Sequence, residues 1–283
     1  MSAISTREEM EVEGSSSTFT KEMQSLVNNS QFSDISFLVG PEKINFKAHK
    51  CILATRCQVF KSMFENPLDV DEPLVLSDVS PEIFSILLQY IYTMAFYINT
   101  DNVMPLLSMA MEYGMEQLIK ICEKFISSSI NIENACCSMQ AAVTFGLDNF
   151  KRTLLPFIEQ NTAEIFKTKS FNELSETTLS YILQSDELTM DEYDLMKAIK
   201  GWAVVNSVAL GRPLSEISRT VVCNLRLSLL SAEELARLET ENMKEHFIPV
   251  EQISMAWKHL ALKTPLHSTL DTTPRKGTIP RKK

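Results

Sequence analysis

The chain has 283 residues, 45% hydrophobic and 22% charged, with only 7 Gly and 11 Pro, which excludes collagen-like, low-complexity and wholly disordered polymers. That length suits two ordinary domains better than one continuous core. A formal net charge of -9 repels phosphate, so no direct contact with nucleic acid is expected.

Residues 1–18 carry Glu8, Glu9, Glu11 and Glu13 and have no apolar stretch, which predicts a disordered acidic leader and no secretory signal. From 20 to 28, Met23, Leu26 and Val27 recur at helical spacing and predict a short amphipathic helix. Apolar runs at 34–39 and 44–47 flank Gly40-Pro41-Glu42-Lys43, the pattern of a β-hairpin, and a third strand is expected at 74–76. Helical stretches are expected at 49–55 and 58–64. Ser80 before Pro81 then marks the start of a helix to about residue 93. The uncharged run 83–100 is too short and too polar to span a bilayer, so no membrane association is expected.

Nearly everything from there to residue 262 has a 3.6-residue period, broken at Gly114, Gly146 and Gly211. Thr189 with Glu192, and Ser231 with Glu234, have the spacing of capping boxes. The acidic cluster Asp186, Glu187, Asp191, Glu192 and Asp194 reads as a solvated helix start, where the helix dipole favours carboxylates. Residues 264–283 turn Thr/Pro-rich and basic, with Arg275, Lys276, Arg281, Lys282 and Lys283 against Asp271, and read as a disordered basic tail. The tail carries +4 and residues 1–263 carry -13, the clearest charge separation in the chain.

Chemistry is not signalled. No phosphate-cradling glycine motif occurs, the four His include no pair at metal-ligand spacing, and the six Cys show no C-x-x-C. Neither a cofactor nor a metal is expected, and the cysteines read mostly as buried thiols of a reducing, intracellular compartment. His49 lies near Cys51 and Asp34, but Cys51 is two residues away on an expected helix and points to another face, so catalysis there is disfavoured.

The segments Phe32-Ser33-Asp34-Ile35, Phe46-Lys47-Ala48-His49-Lys50, Ile52-Leu53-Ala54, Val59-Phe60-Lys61-Ser62-Met63-Phe64 and Leu88-Gln89-Tyr90-Ile91-Tyr92-Thr93 occur in the order found in a BTB/POZ domain, which the chain resembles. Further on, Phe171-Asn172-Glu173-Leu174-Ser175, Ile182 to Leu188, Ala198 to Trp202 and Val221 to Leu230 resemble the BACK domain that follows BTB in kelch-like proteins. The resemblance implies an α+β chain: a BTB/POZ domain at 19–128, with a small β-sheet flanked by helices, then an all-α BACK domain at 129–263.

It also implies a homodimer, with Met23, Leu26, Val27, Asp34, His49 and Lys50 at the interface and the charges of Asp34 and Lys50 facing each other. Many BTB-BACK proteins are adaptors of cullin-RING ubiquitin ligases. By that resemblance Leu68, Val70, Glu72, Tyr92 and Tyr113 would meet the cullin, and an unidentified client protein would be recruited elsewhere. In cullin-binding relatives the loop carries an apolar residue with Glu two positions on. Here Leu68-Asp69-Val70 lacks that Glu, whereas Val70-Asp71-Glu72 has it. The expectation is a non-enzymatic cytoplasmic adaptor. The alternatives are a nuclear BTB scaffold or transcriptional co-regulator, motivated by the basic tail, and more remotely an enzyme of unknown type.

Overall fold

The computed structural model describes residues 15–65, 72–262 and 272–281. The chain divides into two compact units, Met1–Glu123 and Lys124–Lys283.

In the first unit, α1 (Ser16–Gln24) precedes the hairpin β1 (Ile35–Val39) and β2 (Ile44–Ala48), then α2 (Lys50–Arg56), α3 (Gln58–Glu65) and β3 (Leu74–Leu76). The helices α4 (Pro81–Thr93), α5 (Val103–Glu112) and α6 (Glu116–Ser128) follow, and the unit boundary falls inside α6 rather than at its end. The sheet order is β2-β1-β3, with β1 antiparallel to β2 and parallel to β3. The parallel pairing is possible because α2 and α3 carry the chain across between the strands.

The register sets Phe37 opposite Phe46 and beside Leu74, so period-2 alternation sends Phe37, Val39, Phe46 and Ala48 into the core, all under 7% exposed. There Phe37 meets Phe84 at 5.1 Å and Phe60 at 5.7 Å between ring centroids. Gly40 ends β1 at φ 76°, and a Cβ there would come within 3.0 Å of the Pro81 ring, so both conformation and space require glycine. The first helix lies nearer the N-terminus than its apolar spacing predicts, 16–24 rather than 20–28. Ser15 accepts from the Thr18 amide at 3.4 Å and starts it, so the expected leader at 1–18 overlaps structured chain.

The second unit is helical: α7 (Ala135–Thr144), α8 (Asp148–Gln160), α9 (Thr162–Ile165), α10 (Lys169–Asn172), α11 (Glu176–Leu183), α12 (Glu192–Leu210), α13 (Leu214–Ser218), α14 (Ala232–Glu245) and α15 (Val250–Leu262). Its largest buried side chain is Trp202 on α12, whose indole N–H donates to the Leu174 carbonyl at 2.9 Å. The Ser231–Glu234 capping box forms as its spacing predicts. The one at Thr189 does not. Asp191 caps α12 instead, accepting from the Tyr193 amide at 3.1 Å, while the Thr189 hydroxyl donates to the Glu159 carbonyl at 2.7 Å.

Two sequence expectations about charge are corrected here. Asp191 and Glu192 are 8% and 0% exposed, so the acidic cluster is not simply a solvated helix start. Residues 272–281 of the basic tail are not free either, because Arg275 is 2% exposed within this unit. Each correction has the same cause: the two segments bind each other.

Candidate interaction surfaces

On the first unit, α1 lies against α4 without burying any residue fully. Met23 is half-buried at its end, and Leu26 and Val27, also half-buried, lie in the turns beyond it. Phe19 is 63% and Phe32 83% exposed in the same stretch of chain. Folding of one chain therefore leaves Phe19 and Phe32 open to water and Met23, Leu26 and Val27 partly so.

Asp34 is exposed, and its Oδ1 accepts from the backbone amide of Lys50 at 2.7 Å. Within one chain this carboxylate caps the first amide of α2, whose N-cap residue, His49, makes no side-chain capping bond. An exposed cap contributes about 1 kcal/mol rather than the cost of a stranded buried charge. Asp34→Ala is accordingly expected to lower stability by about 1 kcal/mol in urea titration; a loss near 4 kcal/mol would instead mean that the charge is buried in the assembled protein.

His49 is buried and fully bonded. Its Nε2 lies 2.8 Å from the Gln31 carbonyl, which can only accept, so Nε2 carries the proton. Its Nδ1 then accepts from the Tyr92 hydroxyl at 2.8 Å, and that hydroxyl accepts in turn from the His49 amide at 2.9 Å. Every polar atom of the pair is used structurally, which leaves His49 no part in a nucleophile–base pair with the exposed Cys51.

Of the residues expected at a cullin contact, three fall among the described residues: Tyr92, Tyr113 and Glu72. Tyr92 and Tyr113 are 4% and 3% exposed and belong to the core, Tyr113 packing on Phe60 at 4.8 Å. Burial pushes both phenols up to about 12. Their expected surface role is corrected for the single chain: Tyr92 lies on α4, which is apolar on most of its circumference, Tyr113 lies at the end of α5, and both pack inward. Glu72 is exposed, just before β3, and Leu68 and Val70 lie outside the described residues.

On the second unit, residues 272–281 lie in an acidic groove. Arg275 is bonded to Glu192, both side chains being wholly buried, and donates also to the carbonyls of Leu183 at 2.6 Å, Asn224 at 2.8 Å and Ser185 at 3.2 Å. Arg281 forks onto both oxygens of Asp191, at 2.5 and 2.7 Å, and onto Glu234 at 3.0 and 3.1 Å. Between these anchors the main chain turns at Lys276 and Gly277, with the Thr278 amide donating to the Arg275 carbonyl at 2.9 Å, while the Lys276 amide donates to the Asp186 carbonyl at 2.8 Å and the Gly277 amide to the Leu188 carbonyl at 2.9 Å. The amide of Ile279 donates to Asp191 Oδ1 at 2.9 Å.

Arg226 completes the wall, bonding Asp186 and donating to the Thr273 carbonyl at 2.7 Å, while its own amide donates to Glu192 at 2.6 Å. Burial pushes the Asp191 and Glu234 carboxyls up. The bonds from Arg281 and from backbone amides outweigh it and hold both below the usual carboxylate range. No sequence motif announces this groove. Its one signal is the opposite sign of two runs some 90 residues apart, each of which has an ordinary explanation alone.

Among the described residues no group of His, Cys, Asp and Glu could hold a metal ion, and no helix is long and apolar enough to cross a membrane. All six cysteines are free. Three of them, Cys51, Cys137 and Cys223, are exposed, against the expectation of mostly buried thiols. The buried Cys122 and Cys136 thiols are pushed up to about 12 by desolvation, which makes them unreactive.

Comparison with known proteins gives two family matches, the BTB/POZ domain over residues 23–130 and "BTB And C-terminal Kelch", BACK, over residues 135–240. BTB/POZ domain-containing protein 19 of Bos taurus is 40% identical over 275 residues, covering 95% of this chain and 94% of that protein. The Homo sapiens protein of the same name is 39% identical over 273 residues, with the same coverage. BTB/POZ domain-containing protein 9 of Drosophila melanogaster is 27% identical over 224 residues, 78% of this chain and 30% of that protein.

Proposed function

We propose, from the premise that this chain belongs to the family of BTB/POZ proteins that continue into a BACK domain, that it is a non-enzymatic homodimeric adaptor working by positioning. The observation carrying the reading is that Phe19 and Phe32 are exposed and Met23, Leu26 and Val27 only half-buried, apolar side chains that a second copy across a two-fold axis would cover. Two copies present each binding surface twice, so a weak partner site gains strength through effective concentration when both can be engaged. The partner on the first unit would be a cullin, met through the loop containing Leu68, Val70 and Glu72. The protein would thereby bring a client to a ubiquitin ligase.

Sedimentation at micromolar concentration is expected to give twice the 32.1 kDa chain mass, falling to one chain mass in Met23→Asp with Leu26→Asp. A monomeric, folded wild type would overturn the reading. The dimer titrated with a cullin N-terminal domain is expected to bind with micromolar affinity that Leu68→Asp removes. No binding by a folded dimer would eliminate the ligase role and leave a scaffold.

A further inference from the structure

The groove on the second unit holds a peptide segment that turns at Lys276 and Gly277, and its chemistry defines which segment fits. The Glu192 socket accepts a guanidinium and surrounds it with three carbonyl acceptors. A planar fork satisfies that geometry and an ammonium does not. Two positions on, a Cβ at Gly277 would run into the backbone at Thr189 and Met190, so only glycine passes. Four further on, Asp191 and Glu234 take a second guanidinium.

Between the anchors the segment contributes little beyond its backbone. Ile279 is 61% exposed, and the Lys276–Glu187 pair at 3.6 Å is solvent-facing. The segment also leaves the groove underfilled, since a cleft of about 690 Å³ runs beside Gly277 and Ile279, bounded by Phe166, Met190 and Lys197.

We propose that this groove is a recognition site for protein segments that turn as residues 275–278 do and carry Arg, then Gly two residues later and Arg four residues after that, and that residues 273–281 are its resident, displaceable occupant. The tether to α15 holds that occupant at an effective concentration in the millimolar range, so a partner must displace a local competitor. A client presenting the same arginine–glycine–arginine spacing would do so, and the underfilled cleft gives it contacts the chain's own Ile279 does not make. The site would supply the adaptor's client-binding surface; because it is read on the second unit and dimerisation on the first, failure of either is distinguishable from failure of the other.

The test uses the full chain and a fluorescent nine-residue peptide copying residues 273–281, followed by anisotropy. Gly277→Ala ejects the internal segment and is expected to bind the peptide at least ten-fold more tightly than the wild type. A peptide with Lys for Arg at the position of Arg275 is expected to lose at least ten-fold in affinity. A folded Gly277→Ala chain that fails to bind, or binds no better than wild type, overturns the proposal. Should Gly277→Ala not fold, a chain cleaved at a protease site placed within 263–271 decides the matter. Exchange of the severed segment for labelled peptide supports a recognition site, and a severed segment that never exchanges makes it a fixed strap and overturns the proposal.

Discussion

Glu192→Ala is expected to destabilise the second unit by about 3–5 kcal/mol, because it leaves the Arg275 guanidinium buried without its counter-charge. Arg275 would keep its three carbonyl acceptors but no carboxylate, and the amide of Arg226 would lose the acceptor it now has in Glu192. The structure can escape part of the cost by releasing residues 272–281 to water. The variant should therefore show both a lower urea midpoint and rapid protease cleavage near Arg275, where the wild type is protected. Glu192→Ala combined with Arg275→Met should be more stable than Glu192→Ala alone, since replacing both partners removes the orphaned charge. Equal midpoints and equal protection in wild type and Glu192→Ala would show that the pair contributes nothing.

In the first unit the largest loss is expected from Phe37→Ala, about 3–5 kcal/mol, because the ring is wholly buried where β1 meets α3 and α4. Strand, hairpin partner and helices converge on this one side chain: Phe46 is opposite in register, Phe60 meets it edge-to-face and Phe84 packs tilted against it. The cavity cannot be closed by moving one neighbour, since the strands are hydrogen-bonded on both sides of β1. Phe37→Leu, which keeps most of the volume, should cost much less. A Phe37→Ala protein within 1 kcal/mol of wild type in denaturant titration would refute this account of the core.

The hairpin, the third strand, the helix after Ser80 and the helical second half were all legible because their signals are local: period-2 and 3.6-residue spacing, a turn needing glycine at Gly40, a capping box at Ser231. Family-level recognition rested on the same ordered local patterns. Site residues were less legible. Tyr92 and Tyr113 looked available for a partner, yet polarity at a ring's tip does not decide which way a helix turns it, and both tips face inward here. Thr189 had the spacing of a cap, and Asp191, nearer the first free amides, took the role.

By itself the amino-acid sequence determined the α+β organisation, the two helical and mixed units and the separation of charge between a basic tail and an acidic body. Only the tertiary structure decided that the two charged segments meet. Arg275 and Glu192 are separated by 83 positions, and charge complementarity has no period by which one partner can be found from the other. Whether a carboxylate faces water or a buried guanidinium depends on where the folded chain returns, and desolvation then makes the difference between a surface charge of little consequence and a pair whose separation unfolds the site.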